Sequence, residues 1–348
     1  MKHTHLHTRL LALLLCCALV LPLSACGEAK STTQQIFAMD TVMDLTAYGK
    51  KADDGINAAI SIINSMDTLL DPENERSKTY EINHAMGSPV VVNEQIAKML
   101  RTALTVYEHT NGAFDLTTYP LSKLWGFIDQ NYRVPSDAEI ERLLPCVDMS
   151  KVQLAATDDS ANSLVTMPAD MALSFGAVAK GCASDYAIQA MRAAGVTSGV
   201  VSLGGNVQTL GKKPDGSDWN IAIQDPNDTG SYLGYLTVGE TAVITSGSYQ
   251  RYFTEGGQKY HHILSPATGR PVNNGLLAVT IVCEDGTLAD CLSTAMFVLG
   301  PQAALNYWRT YGGFEMLLVK TDGHVVLTNG LYGQFTSNGD SYVVDYAS

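Results

Sequence analysis

The chain has 348 residues, 46% hydrophobic and 16% charged, with 22 Lys and Arg against 35 Asp and Glu for a formal charge of −13. That is enough apolar material for one large core or two. The acidic balance argues against a nucleic-acid partner, which needs basic patches, and a bare phosphate would be repelled unless a metal ion or backbone dipoles met it.

The first 25 residues differ from the rest. Lys2 and Arg9 supply positive charge, residues 10–23 are almost wholly apolar, and the stretch ends Leu23-Ser24-Ala25-Cys26-Gly27. A basic start, a short apolar core and a small-residue exit have the layout of a secretory signal. The exit resembles the lipobox of bacterial lipoproteins, which implies cleavage before Cys26 and acyl chains on its thiol. Each buried methylene contributes about 0.8 kcal/mol, so several chains together anchor firmly. The expected organisation is a signal peptide at 1–25, a tether at 26–35 beginning with lipidated Cys26, and one domain over 36–348. Loss of Lys2 and Arg9 with the signal takes the charge to −15. No later apolar run reaches the ~18 residues that a membrane span needs. Cys146, Cys182, Cys283 and Cys291 match no zinc spacing, and one or two disulfides among them are open possibilities.

Residues 36–48 alternate well enough to predict a strand. Ile56, Ala59, Ile60, Ile63 and Met66 have helical spacing and predict a helix over 53–70, and Met99, Leu100, Ala103, Leu104 and Tyr107 do the same over 96–110. A further helix is expected at 183–194, ended by Gly195. Short β-rich runs lie at 152–154, 199–203, 220–224, 235–238, 242–246, 278–283, 315–319 and 324–327, and 290–299 reads as another helix, followed by Gly300-Pro301. Strands and helices interleave irregularly, without repeats or a Gly/Pro-rich linker. This predicts an α+β domain with mixed or antiparallel sheets flanked by helices.

Five stretches concentrate glycine, small polar and ionisable residues. The first is Phe37-Ala38-Met39-Asp40-Thr41. The second runs from Thr110-Asn111-Gly112-Ala113-Phe114-Asp115 through Thr117 to Leu121, then Trp125-Gly126; it also reads as a helix C-cap with an apolar plug. In the third, Ser174-Phe175-Gly176-Ala177-Val178-Ala179-Lys180-Gly181 precedes a helix, where free N–H groups and a lysine can meet an anion. Its glycines fit neither a Walker A loop nor a GxGxxG fingerprint. The fourth is Leu203-Gly204-Gly205-Asn206, a strand running into a turn that allows close approach to the backbone. The fifth spans Thr245-Ser246-Gly247 to Arg251, Tyr260-His261-His262-Ile263, and Ala289-Asp290 to Thr294. Asp290 and Thr294 stand four apart, so on a helix their oxygens face one way. With a backbone carbonyl from elsewhere they form a hard-oxygen set suited to Mg²⁺, which keeps several non-protein oxygens. An N-capping Asp with a back-bonded Thr is the plain alternative.

In this order the five stretches resemble the ApbE family of FAD:protein FMN transferases and their flavin-binding lipoprotein relatives, over residues 37 to about 300. The resemblance implies an elongated α+β fold holding FAD between its lobes. Met39, Ala113, Phe114, Asp115 and Ser174 would hold the flavin or adenine portions, Lys180 would lie near the pyrophosphate, and Ile263 would touch the cofactor. Mg²⁺ would be held by the Ala177 carbonyl and the side chains of Asp290 and Thr294. Three positions depart from the family pattern: Asp40 and Ala177 stand where members carry Gly, and Ser174 stands where they commonly carry Asp.

The implied reaction joins the FMN half of FAD to a Thr or Ser of a target protein and releases AMP, with Lys180 assisting and His262 or a nearby carboxylate as base. The expected acceptor is an electron-transport subunit on the outer side of the membrane, where the lipid anchor would hold this chain. Two other readings stand beside it. Water as acceptor would keep the site and make an FAD pyrophosphatase; a chain without catalysis would be a solute-binding or flavin-carrying lipoprotein.

Overall fold

The computed structural model describes residues 30–347. Cys26 and the signal sequence lie outside the described residues. Eight helices are described: α1 (Ala52–Leu70), α2 (Lys78–Asn83), α3 (Glu94–His109), α4 (Tyr119–Leu124), α5 (Asp137–Leu143), α6 (Ala179–Ala193), α7 (Gly286–Leu299) and α8 (Pro301–Tyr311). They pack with one nine-stranded sheet and three small antiparallel sheets. The α+β expectation holds.

The large sheet begins with Ser31–Ala38, Thr41–Tyr48, Gly199–Leu203, Asn206–Leu210 and Ala242–Gly247. It continues through Leu276–Cys283, Glu315–Lys320, His324–Thr328 and Val343–Ala347; only the last pair is parallel. Period-2 alternation divides its residues between two cores. Met43, Leu45, Ile244 and Ile281 join the helices on one face, while Val243, Leu317 and Val319 meet the small sheet carrying Trp219 and Leu236 on the other. A bulge between Leu276 and Ala278 changes which side chains face which core.

Three helices on the first face position the site. α1 buries Gly55, Ile56, Ala59, Ile63 and Met66. Gly55 is required because a Cβ there would run into the Val196 side chain behind α6. α7 buries Leu292, Met296 and Phe297 among others, each burial contributing about 1.5–3 kcal/mol. Asp285 caps α7 by accepting from the Leu288 amide at 2.9 Å.

Several boundaries differ from expectation. The predicted strand over 36–48 is two strands, because Met39 and Asp40 adopt left-handed φ of 49° and 58° and reverse the chain. The first strand starts at Ser31, so Ser31–Gln35 belong to the sheet rather than to a tether. α6 and α7 each begin four residues before the expected start, where Gly, Ala, Lys and Thr residues weaken the apolar signal. Pro301 opens α8 instead of merely ending α7; a proline at the first helical position lacks only an N–H that would be unpaired anyway. Helices α2, α4 and α5 and the strands Val90–Asn93 and Asn162–Thr166 are too short for periodicity to reveal. Cys146, Cys182, Cys283 and Cys291 are all free thiols, so none of the disulfides considered possible forms among them.

Candidate active site

A cavity of 590 Å³ opens beside α6 and α7 on the helical face, and every residue to which the resemblance gives a cofactor, metal or catalytic role lines it. One wall comes from the turn after α3. Asn111 and Gly112 take φ of 51° and 82°, and the Gly112 amide donates to the Tyr107 carbonyl at 2.9 Å, closing the helix end. Ala113 and Phe114 follow at the cavity edge, with Phe114 buried, so the segment is both C-cap and wall.

Asp115 is engaged by its own loop. Its Oδ1 accepts from the Thr117 amide at 2.7 Å and the Thr117 hydroxyl at 2.5 Å, and its Oδ2 accepts from the Met149 amide at 3.0 Å. Burial nevertheless pushes the carboxyl above the ordinary Asp range. Behind this wall the buried Trp125 donates from Nε1 to the Gly269 carbonyl at 2.8 Å. Met39 enters from the first hairpin, its amide donating to Asp67 Oδ1 at 2.8 Å.

The opposite wall is built where α6 crosses α7. A Cβ on Gly181 would collide with the Gly286 carbonyl oxygen and the Asp290 Cβ, so only glycine permits this approach. The approach lets the Gly181 amide donate to Asp290 Oδ2 at 2.8 Å. In an uninterrupted helix that amide would bond the Ala177 carbonyl. Drawn to Asp290 instead, it leaves the Ala177 carbonyl and Asp290 Oδ1 without hydrogen-bond partners among the described residues. The Thr294 hydroxyl, one turn beyond Asp290, meets only the Ser246 hydroxyl among the described residues, at 3.3 Å. Asp290 sits in the second turn of α7, so it is not the N-cap. A carbonyl, a carboxylate oxygen and a hydroxyl thus border one cavity. This donor set fits a hard divalent cation and contains no cluster of three His, Cys, Asp or Glu among the described residues.

Behind these oxygens, Asp185 holds the start of α7. Its carboxylate accepts from the amides of Gly286 at 2.8 Å and Thr287 at 3.0 Å, the Thr287 hydroxyl at 2.6 Å, Gln208 at 3.0 Å and Lys98 at 2.7 Å. Burial pushes this carboxyl up, but Lys98 and the converging donors outweigh it and hold it below the ordinary range. No sequence pattern points to this pairing of a buried carboxylate with the half-buried Lys98.

Six carboxylates and two cations, Lys180 and Arg251, line the cavity. Lys180 forms no ion pair among the described residues, and Arg251 reaches only the Phe127 carbonyl, at 3.4 Å. Ser174 accepts from the Gly176 amide at 3.2 Å and so braces the turn below Ala177.

His262 lies beside Ile263, with its Nδ1 3.1 Å from the Arg251 carbonyl. Because a carbonyl only accepts, Nδ1 carries the proton and Nε2 presents a lone pair. Burial, reinforced by Arg251, pushes its pKa down to about 3 and keeps the ring neutral. Neighbouring His261 faces away from this task, donating from Nε2 to the Val272 carbonyl at 2.8 Å.

The profile of the ApbE family matches residues 39–318, four fifths of the chain and both walls of the cavity. The chain belongs to the ApbE family. FAD:protein FMN transferases from Treponema pallidum and Klebsiella pneumoniae are among its relatives. The first is 29% identical over 88% of this chain and 90% of its own length, the second 30% identical over 81% and 87%. The crystal structure of an ApbE protein from Thermotoga maritima superposes with a TM-score of 0.81 at 31% identity, covering 88% of this chain and 99% of the other. The ApbE assignment rests on the whole fold, and the site residues named above fall within the matched span.

Proposed function

We propose that this chain is a Mg²⁺-dependent FAD:protein FMN transferase. The observation that carries the reading is the Ala177 carbonyl, Asp290 Oδ1 and Thr294 Oγ1 standing open to one cavity, within a chain whose relatives bear that name. FAD is the substrate, and a Thr or Ser hydroxyl of a target protein is the acceptor.

The acceptor oxygen attacks the FMN-side phosphorus, a new P–O bond forms, the bond to the AMP phosphate breaks, and AMP leaves with the bridging oxygen. Bound by Ala177, Asp290 and Thr294, Mg²⁺ would supply the positive charge that lets a pyrophosphate enter this acidic cavity and neutralises the leaving oxygen. Lys180 adds a second positive charge at the same end. The hydroxyl proton goes to His262 Nε2, whose tautomer the Arg251 carbonyl fixes, or to a nearby carboxylate of the cavity. Phe114 and Met39 offer apolar surface to the ring systems.

We also place the protein outside the cytoplasm on a membrane surface, held by lipid on Cys26. The support is the basic start, the apolar stretch and the Ser24-Ala25-Cys26 exit. The expected acceptor is an electron-transport subunit on that side. Cys26→Ser should move the protein from the membrane fraction to the soluble one; retention on the membrane would remove the anchor.

The decisive assay incubates the protein with FAD, MgCl₂ and a candidate acceptor, followed by intact-mass measurement. Acceptor gaining one FMN as AMP appears supports transfer. Free FMN and AMP with an unmodified acceptor would make the protein a pyrophosphatase, and unchanged FAD would leave it a flavin carrier.

A further inference from the structure

Three buried side-chain polar atoms lack a partner among the described residues: Thr79 Oγ1, Ser198 Oγ and Asn206 Nδ2. Only Asn206 lines the cavity, although its residue is 1% exposed. Buried amides are almost always hydrogen-bonded, so an orphan at a cavity wall marks where a ligand completes the set. Asn206 opens the strand Asn206–Leu210 directly after Gly204 and Gly205, which take φ of 58° and 97°.

The register places the carboxamide. Asn206 pairs with Ile244, so both side chains emerge on the helical face of the sheet. Ser246, two residues beyond Ile244, shares that face and meets Thr294. Gln208, two residues beyond Asn206, also shares it and bonds Ser184 at 2.5 Å and Asp185 at 3.0 Å on α6. Lys180 lies one helical turn before Ser184. Asn206 therefore occupies the stretch of wall between Lys180 and the Ser246–Thr294 contact.

We infer that the Asn206 carboxamide donates a hydrogen bond to a phosphate oxygen of the bound dinucleotide. The inference rests on the proposed function for the identity of the ligand. Phosphate oxygens only accept, and the carboxylates around this cavity cannot donate to them when ionised. A neutral amide recognises phosphate without adding a charge that would draw in other anions. A half-turn about χ2 exchanges Nδ2 and Oδ1, so the donor reaches the cavity with no backbone movement.

The test compares wild type with Asn206→Ala and Asn206→Asp, measuring Kd for FAD, ADP and riboflavin with Mg²⁺ present, alongside thermal midpoints. Both substitutions should weaken FAD and ADP about tenfold or more, Asp the more strongly, with riboflavin within about twofold of wild type. Unchanged FAD and ADP affinity in folded Asn206→Ala would overturn the inference, and so would equal weakening of riboflavin, which would put the contact on the ring. Asn206→Asp supplies the second measurement should the Ala variant fold poorly. FMN transfer by wild type is scored separately. A protein that binds FAD and ADP without transferring sinks the transferase reading alone, and the phosphate contact is still decided by the ADP affinities.

Discussion

The two walls of the cavity use the same residue types in opposite ways. On the wall after α3, Asp115 spends both oxygens on Thr117 and Met149, and Trp125 is tied to Gly269. On the wall where α6 crosses α7, Asp290 commits one oxygen to Gly181 and leaves the other open, beside an unpaired carbonyl at Ala177. A saturated carboxylate sets shape, and a half-used one offers chemistry. Burial alone does not separate them: Asp115 is 8% exposed and Asp290 is 3%.

The largest effect should come from the open wall. Asp290→Ala is expected to lower FMN transfer by about 10³-fold or more while the thermal midpoint stays near wild type, and chelation of divalent ions should do the same reversibly. Activity surviving in that variant would erase the distinction between the walls. Gly181→Ala tests the crossing itself. Its methyl group must push α6 from α7, and we expect about a 10²-fold fall in kcat/KM together with weaker metal affinity.

Asp115→Asn should act on stability instead, costing about 1–3 kcal/mol in urea unfolding with a smaller change in kcat, because donors that met a carboxylate would face an amide. A large loss of kcat with unchanged stability would move Asp115 to the chemical side.

His262 gives a pH signature. The folded state holds its pKa down to about 3 whereas the unfolded chain protonates near 6.5, so the unfolded state binds the extra proton between those values. Stability should therefore fall as pH drops from 6.5 toward 3, and His262→Gln should flatten that part of the curve. The smallest effect is expected at Asp40→Gly, where relief of a φ of 58° and the greater entropy of the unfolded chain nearly cancel, leaving the unfolding free energy within about 1 kcal/mol.

How much of this was legible depended on sequence distance. Asp290 and Thr294 could be paired because four residues make a helical turn, a local rule. The release of the Ala177 carbonyl could not be read, because it needs Gly181 to touch a helix 109 residues further on. Lys98 and Asp185 are 87 residues apart and give no joint signal. The reversal at Met39-Asp40 carries no sequence signal, because neither residue is the glycine or asparagine that usually marks such a turn. Asn206 was visible as part of a Gly-Gly turn, yet only the fold puts its side chain on the helical face of the sheet and leaves its amide nitrogen without a partner among the described residues. The ApbE pattern marks residues that come to line one cavity, and the packing shows which of their atoms are left without partners among the described residues.

The four unpaired thiols bear on how the protein matures. Burial raises the pKa of Cys182 to about 12 and moves Cys283 and Cys291 the same way, so they resist oxidants and behave as small hydrocarbon groups. The described fold carries no covalent cross-link for an oxidant to install or an isomerase to repair. Once folded, the protein should keep its thermal midpoint and activity in a mild oxidant, because three of its four described thiols are buried.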